Sequence, residues 1–348
     1  MVKPRNSLHN LKVCEHGGIK KPMGGDLIDF SASLNPYGPP EFIFDAIKEA
    51  SNQIGIYPDS ESGELRLAIS KRIQCSKDEV LAGSGVSELI RLLALSFVKD
   101  RVLIPKYTYG EYEPAAKMLG ASILKIEMPD LIIDPLIIEK KIKKDDVIFL
   151  CNPNNPTGQN LKETEIKKIV ECAEDKDALL VIDEAYVDFV EDTFDLTEMA
   201  INSDNLILLR SQTKAYSIPG IRLGYLTGSK KNVKTIGKVK PPWNVSTIAQ
   251  AVGVVIMEDE TFLDESVKRI FKSKKIIEQR LDVESDSNFY ILNVKNAKKA
   301  KEELMDLGVL VRDCTSFGLP FHIRFSVRGD KENEALLEAL YSAGNKRN

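Results

Sequence analysis

The sequence is poor in the residues that build disulfide frameworks and metal sites, and it has no long apolar run. Its 348 residues contain five cysteines without a CxxC pair and three scattered histidines. A disulfide framework or a metal site is therefore not expected. No run approaches the roughly 20 apolar residues that cross a bilayer. The first 15 residues also lack the apolar core of a signal peptide, which predicts a cytoplasmic protein.

An excess of charge of one sign is also missing. The net charge is −4, with basic residues mixed among acidic ones. Without a basic field, binding to the phosphate backbone of nucleic acid is not expected, and the substrate is expected to be a small molecule. The chain is longer than one typical core but has no low-complexity linker, which favours two domains that share a long interface.

Short apolar strands alternate with amphipathic helices from about residue 79 to residue 225. This pattern predicts an α/β domain with a mostly parallel sheet, and its candidate strands are 101–105, 122–126, 146–151, 178–183, 206–210 and 223–226. Helical patterns at 247–258 and 262–281 precede a second set at 289–294, 298–307, 309–312, 323–327 and 332–342. We predict an N-terminal arm (1–40), a large domain (41–240), interdomain helices (241–281) and a small domain (282–348).

Polar residues follow several of these strands. Because ligands of open α/β sheets bind at the carboxyl ends of the strands, these residues are expected to meet at one site. They are Asn155 in NPNNPTG, Asp183 and Tyr186 in DEAY, Ser211 and Lys214 in SQTK, and Gly85, Val86 and Ser87 in the glycine-rich loop GSGVSE. Each motif alone has an ordinary explanation, since a strand-end lysine is usually solvated and glycine-rich loops are common.

The combination of these motifs in one chain is much harder to explain by chance. They include an anion-binding loop at a helix start, aromatic residues, an acid, hydrogen-bond donors and a lysine. This is the set that pyridoxal 5′-phosphate (PLP) requires, because PLP needs a Schiff-base lysine, a partner for its ring nitrogen and a phosphate site.

These residues resemble those of the fold-type-I PLP enzymes, the aspartate-aminotransferase superfamily, over most of the chain. The resemblance implies a large domain with a seven-stranded, mostly parallel sheet and a smaller α/β domain. Lys214 would then form the Schiff base and transfer protons. It also implies a site for the cofactor phosphate, formed by Ser211, Arg222 and the backbone of Gly85, Val86 and Ser87.

The same resemblance assigns the residues around the cofactor ring. Asp183 would pair with the ring nitrogen, and Asn155 and Tyr186 would hydrogen-bond the phenolate oxygen. In KYTYGEY, Tyr112 would stack on the ring, with Tyr109 as the alternative. Tyr57 would reach the cofactor phosphate of a partner subunit, which implies a homodimer.

Two branches of the superfamily are similar to the chain: threonine-phosphate decarboxylase of cobalamin synthesis and histidinol-phosphate aminotransferase. The motif His16-Gly17-Gly18 resembles the HGG of the decarboxylase branch. DFSASLNP resembles its DFSANINP, with Ser33 in place of an asparagine. Trp243 in PWNVS is typical of the same branch. We therefore predict decarboxylation of O-phospho-L-threonine to (R)-1-aminopropan-2-yl phosphate.

Substrate contacts are also implied by this resemblance. His16 and Arg312 would bind the substrate phosphate and Arg324 the α-carboxylate, with Gly17, Asn35 and Asn155 completing the substrate site. Arg328 is interpreted as a surface charge. The alternatives are transamination of histidinol phosphate with 2-oxoglutarate and, from a different class, a non-catalytic α/β protein that binds a nucleotide and gives Lys214 no role.

Overall fold

A computed structural model describes residues 2–9, 11, 14, 17–18 and 27–345. Regular structure in the first half begins with a short strand and two helices and continues as alternating strands and helices. The elements are β1 (Ile28–Asp29), α1 (Glu41–Ala50), α2 (Gly63–Arg72), β2 (Val80–Gly83), α3 (Val86–Phe97), β3 (Arg101–Pro105), α4 (Tyr112–Lys117), β4 (Ser122–Ile126), α5 (Pro135–Glu139), β5 (Val147–Cys151) and α6 (Glu163–Asp175).

The alternation continues through the centre of the chain, and two longer helices then lead into the C-terminal elements. These are β6 (Leu179–Asp183), α7 (Thr197–Asn202), β7 (Leu206–Ser211), α8 (Gln212–Ala215), β8 (Gly224–Thr227), α9 (Lys230–Gly237), α10 (Thr247–Met257), α11 (Phe262–Leu281), β9 (Phe289–Asn293), α12 (Ala297–Asp306), β10 (Val309–Leu310), β11 (Arg312–Asp313), β12 (His322–Ser326) and α13 (Asp330–Asn345).

A seven-stranded sheet forms the centre of the large domain, in the order β2-β8-β7-β6-β5-β3-β4. Every strand runs parallel to the others except β8, which is antiparallel to β2 and β7. All residues of β5 and β6 are buried, because helices cover both faces of the sheet and leave no side of these strands for water. One apolar layer lies against α3, α4 and α9, and the other lies against α5, α6 and α7. The predicted mostly parallel sheet is confirmed.

The C-terminal elements form a smaller α/β unit. An antiparallel sheet with the order β11-β12-β9 packs its apolar face against α11 and α13. The core between them contains Phe289, Tyr290, Phe325 and Leu336, all without exposed surface. The domain boundaries given above stay a prediction.

The predicted single strand 309–312 is wrong. Val311 is fully buried between two short strands that belong to different sheets. β10 pairs in parallel with β1, so that Ile28 lies opposite Val309, whereas β11 pairs with β12. The pairing of β1 with β10 joins the N-terminal segment to the C-terminal unit, and Phe30 is buried in the core of that unit.

Candidate active site

A cavity opens where β5, β6 and β7 end. It brings together most of the predicted site residues, which lie far apart in the sequence. The predicted residues that line it are Gly17, Val86, Ser87, Asn155, Asp183, Tyr186, Ser211, Lys214, Arg222, Arg312 and Arg324, together with the alternative aromatic residue Tyr109. Strand polarity explains the convergence, because the carboxyl ends of parallel strands share one edge of the sheet.

The predicted phosphate site is the loop between β2 and α3. Gly85 caps α3 with a φ of 79°, a left-handed backbone conformation that favours glycine. A Cβ atom at Gly85 would lie 2.7 Å from Nη2 of Arg222, so only glycine lets the guanidinium approach the loop this closely. The free N–H groups at the start of α3 and the adjacent guanidinium form a site suited to an anion.

Ser211 forms the other side of this anion site. Its Oγ lies 2.8 Å from Oγ1 of Thr213, and both side chains line the cavity. Thr213 was not predicted from the sequence, although it stands directly before Lys214. The sequence signal that could have identified Thr213 is the pair of hydroxyl residues, Ser211 and Thr213, just before the lysine.

Lys214 lies on the short helix α8, directly after β7, with its side chain in the cavity. Burial, together with the charges of Arg324 and Arg222, lowers the pKa of the Lys214 amine to about 8, against the opposing effect of Asp183. A lysine with this pKa is partly neutral near physiological pH. The neutral amine is the form that attacks a carbonyl carbon or accepts a proton.

Asp183 ends β6 and is only 2% exposed. Burial raises the pKa of its carboxyl to about 6, against the opposing effects of hydrogen bonds from Tyr112 and the backbone N–H of Ala185. The Tyr112 hydroxyl donates to Oδ2 at 2.8 Å, and the Ala185 N–H donates to Oδ1 at 3.2 Å. At neutral pH the carboxylate is therefore mostly ionised and can pair with a protonated ring nitrogen.

The structure corrects the prediction for the stacking aromatic residue. Tyr112 has no exposed surface and does not line the cavity. Its ring packs flat on Phe149, on the far side of Asp183 from the cavity space, with centroids 5.1 Å apart. Tyr109 lines the cavity, and its hydroxyl lies 3.3 Å from the Ser87 hydroxyl beside the predicted phosphate site. A ring in this cavity can therefore contact Tyr109 but not Tyr112.

Asn155 and Tyr186 lie on the opposite side of the cavity from the phosphate site. Asn155 accepts a hydrogen bond at Oδ1 from Arg324, which leaves its amide N–H groups to face the cavity. Burial raises the pKa of the Tyr186 hydroxyl to about 12, so the group is a neutral donor at physiological pH. Both residues can donate to a phenolate oxygen.

Two arginines from the small domain reach the cavity, and they face each other across two strands. Arg312 on β11 is the register partner of Arg324 on β12. Arg324 is 6% exposed, lies over the Phe289 ring and donates from Nη2 to the Ser31 carbonyl oxygen at 2.8 Å. Within the described residues its Nε is buried without a partner. Arg312 is half-buried and donates to Ser316 Oγ at 2.6 Å.

The predicted N-terminal motif is only partly described. His16 lies outside the described residues. Gly17 lines the cavity between Ser31 and Arg312, where a Cβ atom would lie 2.9 Å from the Ser31 carbonyl oxygen. Gly18 donates its N–H to Ser31 Oγ at 2.9 Å. This part of the chain therefore lies against the cavity wall and cannot carry a side chain at Gly17 without moving.

Asn35 does not line the cavity, which corrects its prediction as a substrate contact. It is 1% exposed, and its amide donates to the Ala215 carbonyl oxygen at 2.7 Å and to Ser266 Oγ at 2.8 Å. Its backbone N–H donates to the carbonyl oxygen of Lys214 at 2.9 Å. Asn35 thus fixes the backbone that carries the lysine.

Two further predicted residues lie outside the cavity. Tyr57 is 77% exposed and stacks on Trp243 with centroids 4.4 Å apart. Arg328 pairs with Glu332 at 2.8 Å and donates to the Asp29 carbonyl oxygen, so it is an ion-paired residue rather than a free surface charge.

Sequence reasoning missed several residues of the cavity wall besides Thr213. Ser33 lines the cavity, is 1% exposed, and has an Oγ without a partner among the described residues. Phe317 lines it beside Arg312, with the guanidinium over its ring. Phe317 ends a short 3-10 helix (Cys314–Phe317) in the small domain, and no motif in the sequence marks it.

The donors of the cavity fit PLP. The anion site, the Lys214 amine, the Asp183 carboxyl and the donors Asn155 and Tyr186 all line the cavity, and they match the phosphate, aldehyde, ring nitrogen and phenolate oxygen of that molecule. No cluster of three or more histidine, cysteine, aspartate or glutamate side chains that could hold a metal ion occurs in the part of the chain that the structure describes. Nor does any described helix have the length and apolar character needed to cross a membrane.

Comparison with known proteins agrees with this chemistry. The family described as "Aminotransferase class I and II" matches residues 25–340. A protein of Caldanaerobacter subterraneus subsp. tengcongensis, provisionally named a threonine-phosphate decarboxylase, is 33% identical over 346 residues, or 95% of this chain and 94% of the relative. Histidinol-phosphate aminotransferase of Methanocaldococcus jannaschii is 31% identical, over 90% of this chain and 88% of the relative.

A solved structure shares the fold over almost the whole chain. Histidinol-phosphate aminotransferase of Clostridium acetobutylicum superposes with a TM-score of 0.85 at 28% identity, covering 92% of this chain and all of the other. The expected fold type is therefore confirmed. The chain belongs to the class I and II aminotransferase family, and it is a PLP-dependent enzyme.

Proposed function

We propose that the enzyme decarboxylates O-phospho-L-threonine to (R)-1-aminopropan-2-yl phosphate, a step of cobalamin synthesis. The observation that carries this proposal is the opposed placement of Arg312 and Arg324 on β11 and β12. Directly opposed residues of an antiparallel pair have Cβ atoms about 4.5–5.5 Å apart. Two guanidinium groups so placed suit one small substrate that carries two anionic groups close together.

O-phospho-L-threonine has this form, because its carboxylate and its phosphorylated oxygen are attached to adjacent carbons. Arg324 is buried and held by Asn155 and Ser31, so it offers a planar, fixed contact suited to the carboxylate. Arg312 is nearer to solvent and suits the phosphate. The similarity to the Caldanaerobacter relative supports the same assignment.

When bound, PLP supplies an electron sink for the charge left at Cα after a bond to that carbon breaks. The protein decides which bond breaks by orienting the substrate. With the carboxylate held at Arg324 and the phosphate at Arg312, rotation of the substrate about Cα is prevented. Lys214, with a pKa of about 8, then delivers a proton to Cα once CO₂ has left.

The remaining residues keep the reacting groups in place. The Asp183 carboxylate would hold the proton on the ring nitrogen of PLP, and Asn155 and Tyr186 would donate to its phenolate oxygen. Gly17 and Ser31 close the side of the cavity next to Arg312 and limit the access of water. The roles of Asp183, Asn155 and Tyr186 are those predicted from the sequence, with Tyr109 in place of Tyr112 as the residue that would contact the ring.

A second candidate is transamination of histidinol phosphate with 2-oxoglutarate. The similarity to histidinol-phosphate aminotransferases in sequence and in structure favours it. The same residues would serve, but Lys214 would remove a proton from Cα, and Arg324 would bind the carboxylate of the keto acid. The two reactions differ in which bond of Cα breaks: the bond to the carboxylate in decarboxylation, or the bond to hydrogen in transamination.

We also propose a homodimer in which Tyr57 reaches the cofactor phosphate of the partner subunit. Support comes from the exposure of Tyr57 and of the neighbouring apolar residues Ile54 and Ile56, which are 69% and 68% exposed. Tyr57 is not one of the described residues that line the cavity of its own subunit, and its stack on Trp243 holds the ring at the surface. Analytical ultracentrifugation tests the dimer. Mixing Tyr57→Ala subunits with Lys214→Ala subunits tests the shared site. In the mixed dimer, the one site that keeps Lys214 receives an intact Tyr57 from the other subunit, so mixing should restore activity that the Tyr57→Ala dimer lacks. No gain on mixing would contradict a crossing Tyr57.

The assay that tests the reaction uses PLP-loaded enzyme and O-phospho-L-threonine without a keto acid. Release of CO₂ with formation of the amino-alcohol phosphate is the expected result, and the Lys214→Ala variant is the control without activity. If no CO₂ is released and histidinol phosphate with 2-oxoglutarate yields glutamate, the enzyme is the aminotransferase. If neither substrate pair reacts, the proposed substrate class is wrong.

A further inference from the structure

The carboxyl of Asp183 has two faces, and only one of them is directed to the cavity. On the other face the Tyr112 hydroxyl donates to Oδ2 at 2.8 Å. The Ala185 N–H on the same strand end donates to Oδ1. Tyr112 is thus the side chain that hydrogen-bonds Asp183 from behind, within the part of the chain that the structure describes.

The surroundings of Tyr112 fix its hydroxyl in this position. The residue starts α4 and has no exposed surface. Its ring lies parallel to Phe149 on β5, at an interplanar angle of 7°, and meets the Tyr109 ring edge-on with centroids 5.5 Å apart. A ring held between these neighbours keeps one orientation, and its hydroxyl points at the end of β6.

We propose that Tyr112 is a positioning residue, which holds the Asp183 carboxylate in the orientation that pairs with the ring nitrogen of PLP. The hydroxyl occupies the rear oxygen of the carboxylate and leaves the other side for the ring. This inference rests on the role proposed for Asp183 and does not depend on the choice of substrate. It also gives the residue first expected to stack on the cofactor a different task.

The charge of Asp183 depends on the same contact. Burial favours the neutral acid, and a donor hydrogen bond favours the carboxylate. The Tyr112 hydroxyl always acts as donor, because burial raises the pKa of that phenol well above its ordinary value. The other titratable groups that face Asp183 are Glu184, Lys214, Tyr109, Cys151 and Tyr186. Of these, the Cys151 thiol also interacts with the Tyr112 hydroxyl, and burial keeps that thiol protonated because it raises its pKa.

The test is Tyr112→Phe, which keeps the ring and its stack and removes one oxygen. In the PLP-free protein, ¹³C NMR of the aspartate carboxyls follows the titration of Asp183. We expect its midpoint to rise by about one pH unit, since one hydrogen bond to a charged group corresponds to roughly this shift. The affinity for PLP should fall most strongly between the two midpoints and recover above pH 8. The matched control is Tyr290→Phe, because Tyr290 also donates to a carboxylate, that of Glu278 at 2.9 Å, in the small domain.

A second variant separates positioning from a general effect on packing. In an Asp183→Asn background, Tyr112→Phe should change the PLP affinity by less than twofold, because the carboxylate through which it acts is gone. Equal losses in both backgrounds, or an unchanged Asp183 titration in Tyr112→Phe, would overturn the proposal. The Asp183 titration and the PLP affinity are both measured without substrate. Failure of this proposal can therefore be distinguished from failure of the proposed reaction.

Discussion

Replacement of the two opposed arginines tests the substrate site most informatively. Arg324→Gln removes a guanidinium that is 6% exposed and bound to Asn155 and Ser31. A buried hydrogen bond to a charged group contributes about 1.5–3 kcal/mol. At 1.4 kcal/mol per factor of ten, kcat/KM should fall roughly 10- to 150-fold.

Arg312→Gln should have a smaller effect. Arg312 is half-buried and keeps its contact with Ser316 beside the cavity. An ion pair open to solvent contributes roughly 0.2–1 kcal/mol, which corresponds to a loss of up to about fivefold. Arg328→Gln is the matched control, because Arg328 follows on the same segment, pairs with Glu332 and lies outside the cavity.

Comparison of two substrates distinguishes binding of the carboxylate from binding of the phosphate. Initial rates of CO₂ release are measured with O-phospho-L-threonine and with L-threonine, which lacks the phosphate. Arg324→Gln should lower both rates by the same factor, since both substrates carry the carboxylate. Arg312→Gln should lower only the rate with the phosphorylated substrate. An equal effect of Arg312→Gln on both substrates would refute the assignment of the phosphate to Arg312.

Three further predictions concern the cofactor site. PLP attaches to the neutral amine of Lys214, so the rate of attachment to the PLP-free protein should rise with pH along a titration curve with its midpoint at about 8. A midpoint near the pKa of a solvated lysine would contradict the effect of burial. Gly85→Ala combines a left-handed backbone angle with a contact to Arg222, and should raise the Kd for PLP at least about tenfold. Gly120→Ala has a similar positive φ with open space around it and is the control. Asn35→Ala removes two buried hydrogen bonds behind Lys214 and should lower the free energy of unfolding by about 1–3 kcal/mol in urea titrations. An unchanged unfolding midpoint would show that Asn35 does not hold this turn.

Apolar runs and helical periodicity were sufficient for the central elements. The predicted strands 101–105 and 122–126 and the helix 262–281 agree with β3, β4 and α11 to the residue. These segments are long or strongly patterned, so local preference and burial favour the same structure. The prediction of a single strand at 309–312 was wrong because Val311 continues the apolar run of Val309 and Leu310, so the sequence shows no break there. The break between two sheets depends on pairing partners far away in the sequence.

The candidate site was predictable where polar residues follow strands. Lys214, Asp183 and Asn155 stand at strand ends, and the topology alone brings them together. The sequence could not predict whether Tyr109 or Tyr112 lines the cavity, because both are tyrosines in one short segment. Which ring faces the cavity is decided by how α4 begins and by the packing of Tyr112 on Phe149. Asn35 was misassigned for a similar reason, since its amide turns into the protein to bind Ala215 and Ser266.

The central claim is that PLP binds in this cavity through Lys214. The direct measurement is reduction of the PLP-loaded protein with borohydride, which fixes the cofactor to its lysine, followed by proteolysis and mass spectrometry. We predict that the pyridoxyl group is found on the peptide containing Lys214 and that the Lys214→Ala variant carries none. Attachment to another lysine, or an equal yield of label in Lys214→Ala, would contradict the account.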